Sequence, residues 1–130
     1  MKQSILVVDD EAMVRRVAAR ILETAGYIVL LAASGEEALH LCRTYEGSIP
    51  LALVDLVLPG LHGRALIERL HPLQPAMRVV FMSGYSLTYL ADRNLQVDPK
   101  EFIRKPFVGK ALLQRVAQEL HPVRSRSAGE

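Results

Sequence analysis

The sequence has little of what would place it outside a reducing compartment or inside a membrane. It holds a single cysteine, Cys42, which cannot form a disulfide within the chain. The longest uninterrupted apolar run covers residues 27–33, whereas a helix needs about 20 apolar residues to span a bilayer. The apolar run near the start is too short for the core of a signal peptide. We therefore expect a cytoplasmic protein that does not contact the membrane directly.

An excess of charge of one sign is also missing. Sixteen lysines and arginines against 14 aspartates and glutamates give a formal net charge of +2, without any run of five like charges. A face that binds nucleic acid would need clustered positive charge, so we expect no direct contact with nucleic acid. With 130 residues, half of them hydrophobic, the chain is long enough for one stable domain. We predict that domain over residues 1–121 and a disordered tail over residues 122–130.

Short apolar runs alternate with segments of helical spacing. The runs are nearly continuous, which is typical of strands buried on both faces of a parallel sheet; they cover residues 5–8, 27–33, 51–54, 79–82 and 102–103. The segments between them place apolar residues three and four apart, with the weakest pattern over residues 86–94. Ser34 and Glu37 form a capping box before the second helix. This order predicts an α/β fold with a five-stranded parallel sheet and helices on both faces.

Polar side chains follow four of the predicted strands. Asp9 and Asp10 come after the first strand, Asp55 after the third, Ser83 after the fourth and Lys105 after the fifth. In doubly wound sheets, ligands bind at the carboxyl ends of the strands. Asp9 and Asp10 could instead serve only to cap the next helix. Asp55 is harder to explain in that way, because a carboxylate within an apolar run needs a cationic partner, either a metal ion or Lys105.

Three converging carboxylates predict a metal site. Oxygen ligands suit a hard divalent cation, and Mg²⁺ needs fewer protein ligands than Ca²⁺. Zinc would require histidine or cysteine, which these turns lack. Ser83 and Lys105 beside such a metal would bind a phosphoryl group. Asp55 is then the expected nucleophile, because aspartate forms acylphosphates and no histidine near a strand end could activate Ser83.

Four motifs in this order resemble bacterial response-regulator receiver domains. They are Val8-Asp9-Asp10-Glu11, Asp55-x-x-Leu58-Pro59-Gly60, Met82-Ser83-Gly84-Tyr85 and Lys105-Pro106-Phe107. The resemblance covers about residues 5–120 and implies a flavodoxin-like fold with strand order 2-1-3-4-5. It implies a phosphorelay receiver that accepts a phosphoryl group from a histidine kinase or a histidine phosphotransfer protein. The receiver would then switch conformation to signal to a partner or to an attached output domain.

The resemblance assigns a role to each site residue. Asp55 is the phosphoacceptor, and Ser83 and Lys105 contact the phosphoryl group. The implied ligands of Mg²⁺ are the side chains of Asp9, Asp10 and Asp55 and the backbone carbonyl of Val57, with Asp10 binding directly and Asp9 through water. The domain is not a conventional enzyme in this interpretation, but it catalyses its own aspartyl phosphorylation and dephosphorylation.

The resemblance also implies a switch. Phosphorylation would draw Ser83 toward Asp55, and Phe102, at the family's switching aromatic position, would turn inward. The face that changes would comprise the fourth helix, the fifth strand and the fifth helix, which could bind an output partner or a second copy of the domain. The Lys105–Pro106 bond is a candidate for the cis form.

Two side chains are expected to control hydrolysis. In receiver domains, the residues two past the phosphoacceptor and two past the hydroxyl residue flank the path of the attacking water. Here these are Val57 and Tyr85, neither of which holds a water as a carboxylate or amide would. We therefore expect a slow loss of phosphate.

Two other interpretations stay open from the residues alone. A flavin or nucleotide binder of the same fold would need a glycine-rich phosphate loop after the first strand, where Asp9, Asp10 and Glu11 would repel phosphate. A receiver that only binds partners would need a broken site, whereas each expected chemical group is present. The sequences of the last two motifs are similar to those of receivers attached to hybrid sensor kinases. We expect the chain to be either a single-domain regulator or part of a longer protein.

Overall fold

Strands and helices alternate along residues 2–95 and 97–121, which are described by a computed structural model. The strands are β1 (Ser4–Val8), β2 (Ile28–Ala32), β3 (Leu51–Asp55), β4 (Arg78–Ser83) and β5 (Phe102–Arg104). The helices are α1 (Ala12–Thr24), α2 (Gly35–Thr44), α3 (Gly63–Leu70), α4 (Leu87–Ala91) and α5 (Gly109–Leu120), and a 3-10 turn, Pro99–Glu101, precedes β5. None of the helices in these ranges is long and apolar enough to cross a membrane. The tail predicted over residues 122–130 lies outside the described residues.

The five strands form one parallel sheet in the order β2-β1-β3-β4-β5. This confirms the flavodoxin-like topology. Because side chains alternate along a strand, neighbouring residues of β3 enter two separate cores. Leu53 packs in a cluster with Leu22 of α1 and Val116 of α5, while Val54 packs on the opposite face with side chains of α2 and α3 that include Leu66. The runs of β1 and β3 are apolar throughout because both of their faces are covered. Ile28 and Leu31 of β2, at the edge of the sheet, are instead 38% and 40% exposed.

The fourth helix is shorter than its predicted extent over residues 86–94. It runs only from Leu87 to Ala91, and Leu90 is its one fully buried side chain. Asn94 has a φ of 62°, a left-handed backbone conformation that does not continue an α-helix. Turns therefore occupy much of the segment between α4 and β5.

The start of α2 departs from the predicted capping box in one of its two bonds. Ser34 Oγ accepts the N–H of Glu37 at 3.1 Å, as predicted. The Glu37 carboxylate, however, accepts the N–H of Ala33 at 2.6 Å, because Ala33 lies beyond the last paired residue of β2 and its N–H needs a side-chain acceptor. Gly35 follows at a point of close approach, where an added Cβ would collide with the carbonyl oxygen of Leu61.

Helix α5 is tied to the start of β5 by side chains that bind backbone carbonyls. Arg115 Nη1 donates to the carbonyl of Phe102 at 2.8 Å, and Nη2 donates to the carbonyl of Lys100. Glu119 accepts from Arg115 Nε at 3.3 Å and from Arg78 Nε, at the start of β4, at 3.1 Å. This network fixes the backbone of Phe102 against α5.

Candidate functional site

The polar side chains predicted from the sequence lie together at the carboxyl edge of the sheet. Asp9 and Asp10 follow β1, Asp55 ends β3, Ser83 ends β4 and Lys105 follows β5. Parallel strands bring these ends to one edge. Asp10, Asp55, Ser83 and Lys105 line a cavity of about 680 Å³, and Asp9 lies buried next to Asp55 and Lys105. The structure thus brings the predicted polar groups into one site.

Three carboxylates form a cluster within this site. Asp9, Asp10 and Asp55 each offer an oxygen, and these oxygens lie within 4.8 Å of one another. Asp9 and Asp55 are buried, whereas Asp10 is exposed. Asp9 Oδ1 accepts the N–H of Glu11 at 2.9 Å, and Asp55 Oδ1 accepts the N–H of Val57 at 3.0 Å. These backbone bonds orient the two buried carboxylates.

The alternative that Asp9 and Asp10 serve only to cap the next helix is wrong. Helix α1 begins after Glu11 as its N-cap, and among the described residues its N-terminus has no side-chain capping bond. Asp9 instead uses one oxygen for the turn before the helix and the other for an ion pair with Lys105. The acids after β1 therefore belong to the site.

The Lys105 ammonium lies closest to Asp9. Its Nζ is 2.9 Å from Asp9 Oδ2, 3.5 Å from Asp55 Oδ2 and 3.7 Å from Glu11 Oε1. Lys105 was one of the two cationic partners expected for Asp55, the other being a metal ion. The structure places Lys105 within ion-pair distance of Asp55, with Asp9 as the nearer acid. Glu11 was not among the predicted site residues, although its position directly after Asp10 was a usable signal.

Burial and neighbouring charges raise the pKa of both Asp55 and Lys105. Burial raises the pKa of Asp55, although the N–H of Val57 and the charge of Lys105 partly oppose the rise. Desolvation works to lower the pKa of Lys105, but the hydrogen bond to Asp9 and the charge of Asp55 outweigh it and raise that pKa. The charged form of Asp55 is therefore disfavoured, whereas the charged form of Lys105 is favoured.

Ser83 lies across the site from the acids. It is buried at the end of β4, and its Oγ accepts the N–H of Tyr85 at 3.0 Å. The hydroxyl hydrogen remains available to donate, because that bond uses only an oxygen lone pair. The N–H of Lys105 donates to the carbonyl of Ser83 at 2.7 Å, and the Lys105–Pro106 peptide bond that follows is cis, as predicted.

Phe102 is already in an inward position. Phe102 is 8% exposed, and its ring packs with Leu90 of α4 and with Leu56, the residue directly after Asp55. The resemblance implied that this ring turns inward on phosphorylation, and the structure shows the ring in a buried position. The rotation of the ring stays a prediction.

Apolar side chains surround the mouth of the cavity. Met13 and Val17 of α1, Val57 and Tyr85 line it and are 64%, 40%, 45% and 47% exposed, respectively. Helix α1 covers the sheet with Ala18 and Leu22, whereas Val17 lines the cavity. Val57 and Tyr85 were expected beside the site from the sequence, whereas Met13 and Val17 were not.

The donor set fits a hard divalent cation together with a phosphoryl group. All three clustered side chains offer oxygen, the ligand that such cations prefer. The cation Lys105 and the hydroxyl of Ser83 face the same cavity, and both can bind phosphoryl oxygens. The arrangement can therefore hold a negatively charged group next to Asp55.

Comparison with known proteins gives one family. A model described as "Response regulator receiver domain" matches residues 5–117. The sensor kinase CckA of Brucella abortus is 37% identical over 118 residues, which are 90% of this chain and 12% of the kinase. The probable transcriptional regulator ycf27 of Porphyridium aerugineum is 33% identical over 98% of this chain and 52% of that protein. The chain thus spans from about an eighth to about half the length of these relatives.

Solved structures of the same kind superpose over most of the chain. The receiver domain of the hybrid histidine kinase CckA is 38% identical, with a TM-score of 0.74 and coverage of 90% of this chain and 98% of that one. A CheY-like receiver domain protein from Methanospirillum hungatei is 33% identical, with a TM-score of 0.75 and coverage of 92% and 94%.

The raised pKa of Asp55 predicts that its charge destabilises the metal-free fold. A group whose pKa is higher in the folded state stabilises the protein at low pH, and that stabilisation is lost as the pH rises through the folded pKa. Asp55→Asn should therefore unfold at a higher temperature than the wild type at neutral pH with chelator present. The gain should vanish as the pH falls toward about 4, near the ordinary aspartate pKa.

Thermal melts of both proteins across this pH range measure the effect. Asp92→Asn, at an exposed position after α4, is the matched control and should melt like the wild type. A neutral-pH melting temperature of Asp55→Asn at or below that of the wild type would contradict the prediction.

Proposed function

Because this chain belongs to the response regulator receiver domain family, we propose that Asp55 is the residue that accepts the phosphoryl group in its phosphorelay. The position of Asp55 is the observation that carries this assignment. Its carboxylate is buried at the end of β3, belongs to the acid cluster, and lies 3.5 Å from Lys105 Nζ. It lines the same cavity as the hydroxyl-bearing Ser83.

The proposed reaction transfers the phosphoryl group from a phosphohistidine to Asp55. A carboxylate oxygen of Asp55 forms a bond to phosphorus while the phosphorus–nitrogen bond breaks. The donor imidazole leaves with the electron pair and takes up a proton. Lys105 and Ser83 contribute by offsetting the negative charge of the phosphoryl oxygens as the group passes between donor and acceptor.

The acid cluster is the proposed site of Mg²⁺. Its three carboxylates fit an oxygen-binding cation, and two of them are buried without enough positive charge to balance them. We assign direct binding to Asp10 and Asp55, a water-mediated role to Asp9, and a fourth ligand to the carbonyl of Val57. When bound, Mg²⁺ supplies positive charge that stabilises the transferring phosphoryl group.

The proposed donor is a histidine kinase or a histidine phosphotransfer protein. The exposed apolar side chains of Met13, Val17 and Val57 beside the cavity offer a surface on which such a donor can dock. The proposed domain extends over residues 1–121. The signal then passes to a partner or an attached output domain through the face formed by α4, β5 and α5, and the same face could join two copies of the domain.

The proposed switch links Ser83 and Phe102. Ser83 follows Met82 at the end of β4, and Phe102 packs on Leu56 next to Asp55. A movement of Ser83 toward a phosphoryl group on Asp55 would change the space around this ring. Autocatalytic phosphorylation and dephosphorylation by the same residues form part of this proposal.

A flavin or nucleotide binder is less well supported. The cavity that such a ligand would occupy is lined by Asp10, Glu11 and Asp55, which repel phosphate and offer no glycine-rich cradle of backbone N–H groups. The receiver that only binds partners is also disfavoured, because the acids, lysine and hydroxyl lie within one site.

Phosphorylation is expected at a single residue. Incubation with Mg²⁺ and a small acyl phosphate or a phosphohistidine donor should add one phosphoryl group, seen by intact-mass measurement. Asp55→Asn should abolish the added mass because it removes the nucleophile, whereas Asp92→Asn should retain it. Undiminished labelling of Asp55→Asn would contradict the assignment.

Binding of Mg²⁺ should stabilise the folded protein. A cation that binds only the folded state at a hundredfold excess over its Kd adds about 2.7 kcal/mol. The melting temperature should therefore rise with millimolar Mg²⁺, and Asp10→Ala should remove the rise. Glu46→Ala, at an exposed position after α2, should keep it. A wild-type melting temperature that does not respond to Mg²⁺ would exclude the proposed site.

The phosphorylated state should be long-lived. Val57 and Tyr85 flank the cavity with side chains that do not hold a water for attack. The double variant Val57→Asn, Tyr85→Glu should lose its phosphoryl group about tenfold faster, which is about 1.4 kcal/mol of barrier. The measurement is phosphate loss after donor removal in Mg²⁺. A wild-type lifetime of seconds, or an unchanged rate in the double variant, would show that these side chains do not control water access.

A further inference from the structure

Three planar side chains form a ladder on the surface beside the cavity. The rings of Tyr85 and Tyr89 are stacked, with centroids 4.5 Å apart and an interplanar angle of 13°. The guanidinium carbon of Arg93 lies 3.6 Å from the centroid of the Tyr89 ring. The three residues follow one another at intervals of four and flank or belong to the short helix α4. We call Tyr85, Tyr89 and Arg93 the aromatic ladder.

The backbone at both rings of the ladder is fixed by local hydrogen bonds. The N–H of Tyr85 donates to Ser83 Oγ at 3.0 Å, and the N–H of Tyr89 donates to Ser86 Oγ, the cap of α4, at 3.1 Å. Arg104 Nε donates to the carbonyl of Gly84 at 3.0 Å. The freedom left to the Tyr85 ring is therefore rotation about its own side-chain bonds, and stacking on Tyr89 restricts that rotation.

Tyr85 is the member of the ladder that reaches the site. Its side chain lines the cavity that contains Asp55 and Ser83, whereas Tyr89 and Arg93 do not line it. Nearly half of Tyr85 is exposed, so the core around it does not hold the ring in place. The neighbours that orient it are the stacked Tyr89 and, through Tyr89, the cation of Arg93.

We propose that Tyr89 and Arg93 are positioning residues that act through Tyr85 to set the lifetime of the phosphoryl group on Asp55. This inference rests on the proposed function. With the ladder intact, the Tyr85 ring stays at the mouth of the cavity and shields the acylphosphate from water. Without Tyr89 or Arg93, the ring leaves that position for part of the time, and water reaches the phosphorus more often.

A double-mutant cycle tests this inference, since residues that act through one another are not additive. Each variant is labelled with acyl phosphate in Mg²⁺, checked by intact mass, and followed for phosphate loss after donor removal. Tyr89→Ala should shorten the lifetime about threefold, and Arg93→Gln should shorten it less. Tyr89→Phe, which keeps the stacked ring, should behave like the wild type. In the Tyr85→Ala background, Tyr89→Ala should have no further effect.

The controls separate a positioning role from a general loss of structure. Arg69→Gln removes an exposed charge from α3 and should leave the lifetime unchanged. Melting temperatures of Tyr89→Ala and Tyr89→Phe should agree closely, since Tyr89 is partly exposed at the surface.

Three outcomes would overturn the inference while leaving Asp55 as phosphoacceptor: a wild-type lifetime in Tyr89→Ala, a fast rate in Tyr89→Phe, or additive effects of Tyr85→Ala and Tyr89→Ala. A wild type that takes up no phosphoryl group would instead contradict the proposed function.

Discussion

Lys105 and Asp9 are 96 positions apart in the sequence, and their side chains meet in an ion pair of 2.9 Å with exposures of 12% and 0%. β3 and β4 lie between β1 and β5 in the sheet, so the lysine reaches over the ends of two strands. Removing one partner of such a buried pair typically costs about 3–5 kcal/mol, because the other charge is left uncompensated. The pair therefore holds the loop after β5 against the loop after β1.

The rest of the site depends on this contact. With Lys105 anchored on Asp9, its ammonium lies near enough to Asp55 to oppose part of the rise in that carboxylate's pKa. The backbone bonds from Glu11 and Val57 then orient the two buried carboxylates around the same cation. The site is thus a balance in which the one positive charge of Lys105 faces the three acids Asp9, Glu11 and Asp55.

The strands and the chemical groups were predictable from the sequence because both leave local signals. Apolar runs such as residues 51–54 mark strands covered on two faces, and Asp55 stands out because a charge interrupts such a run. Distances within the site were not predictable, since the nearness of Lys105 to Asp9 depends on the turn that Glu11 closes. The place of Val17 at the cavity was not predictable for a related reason: helical spacing identifies a face, but not how far that face extends beyond the sheet.

Gly35 has a consequence for how this domain can vary. It carries no functional group, yet its Cα lies so close to the carbonyl of Leu61 that the smallest side chain would push the β3–α3 loop away from α2. That loop continues from Asp55. In a survey of all substitutions, we expect position 35 to tolerate as few replacements as the acids do. The reason at position 35 is the short distance between two packed loops. Sequence drift on this side of the domain is therefore limited by backbone contact as well as by chemistry.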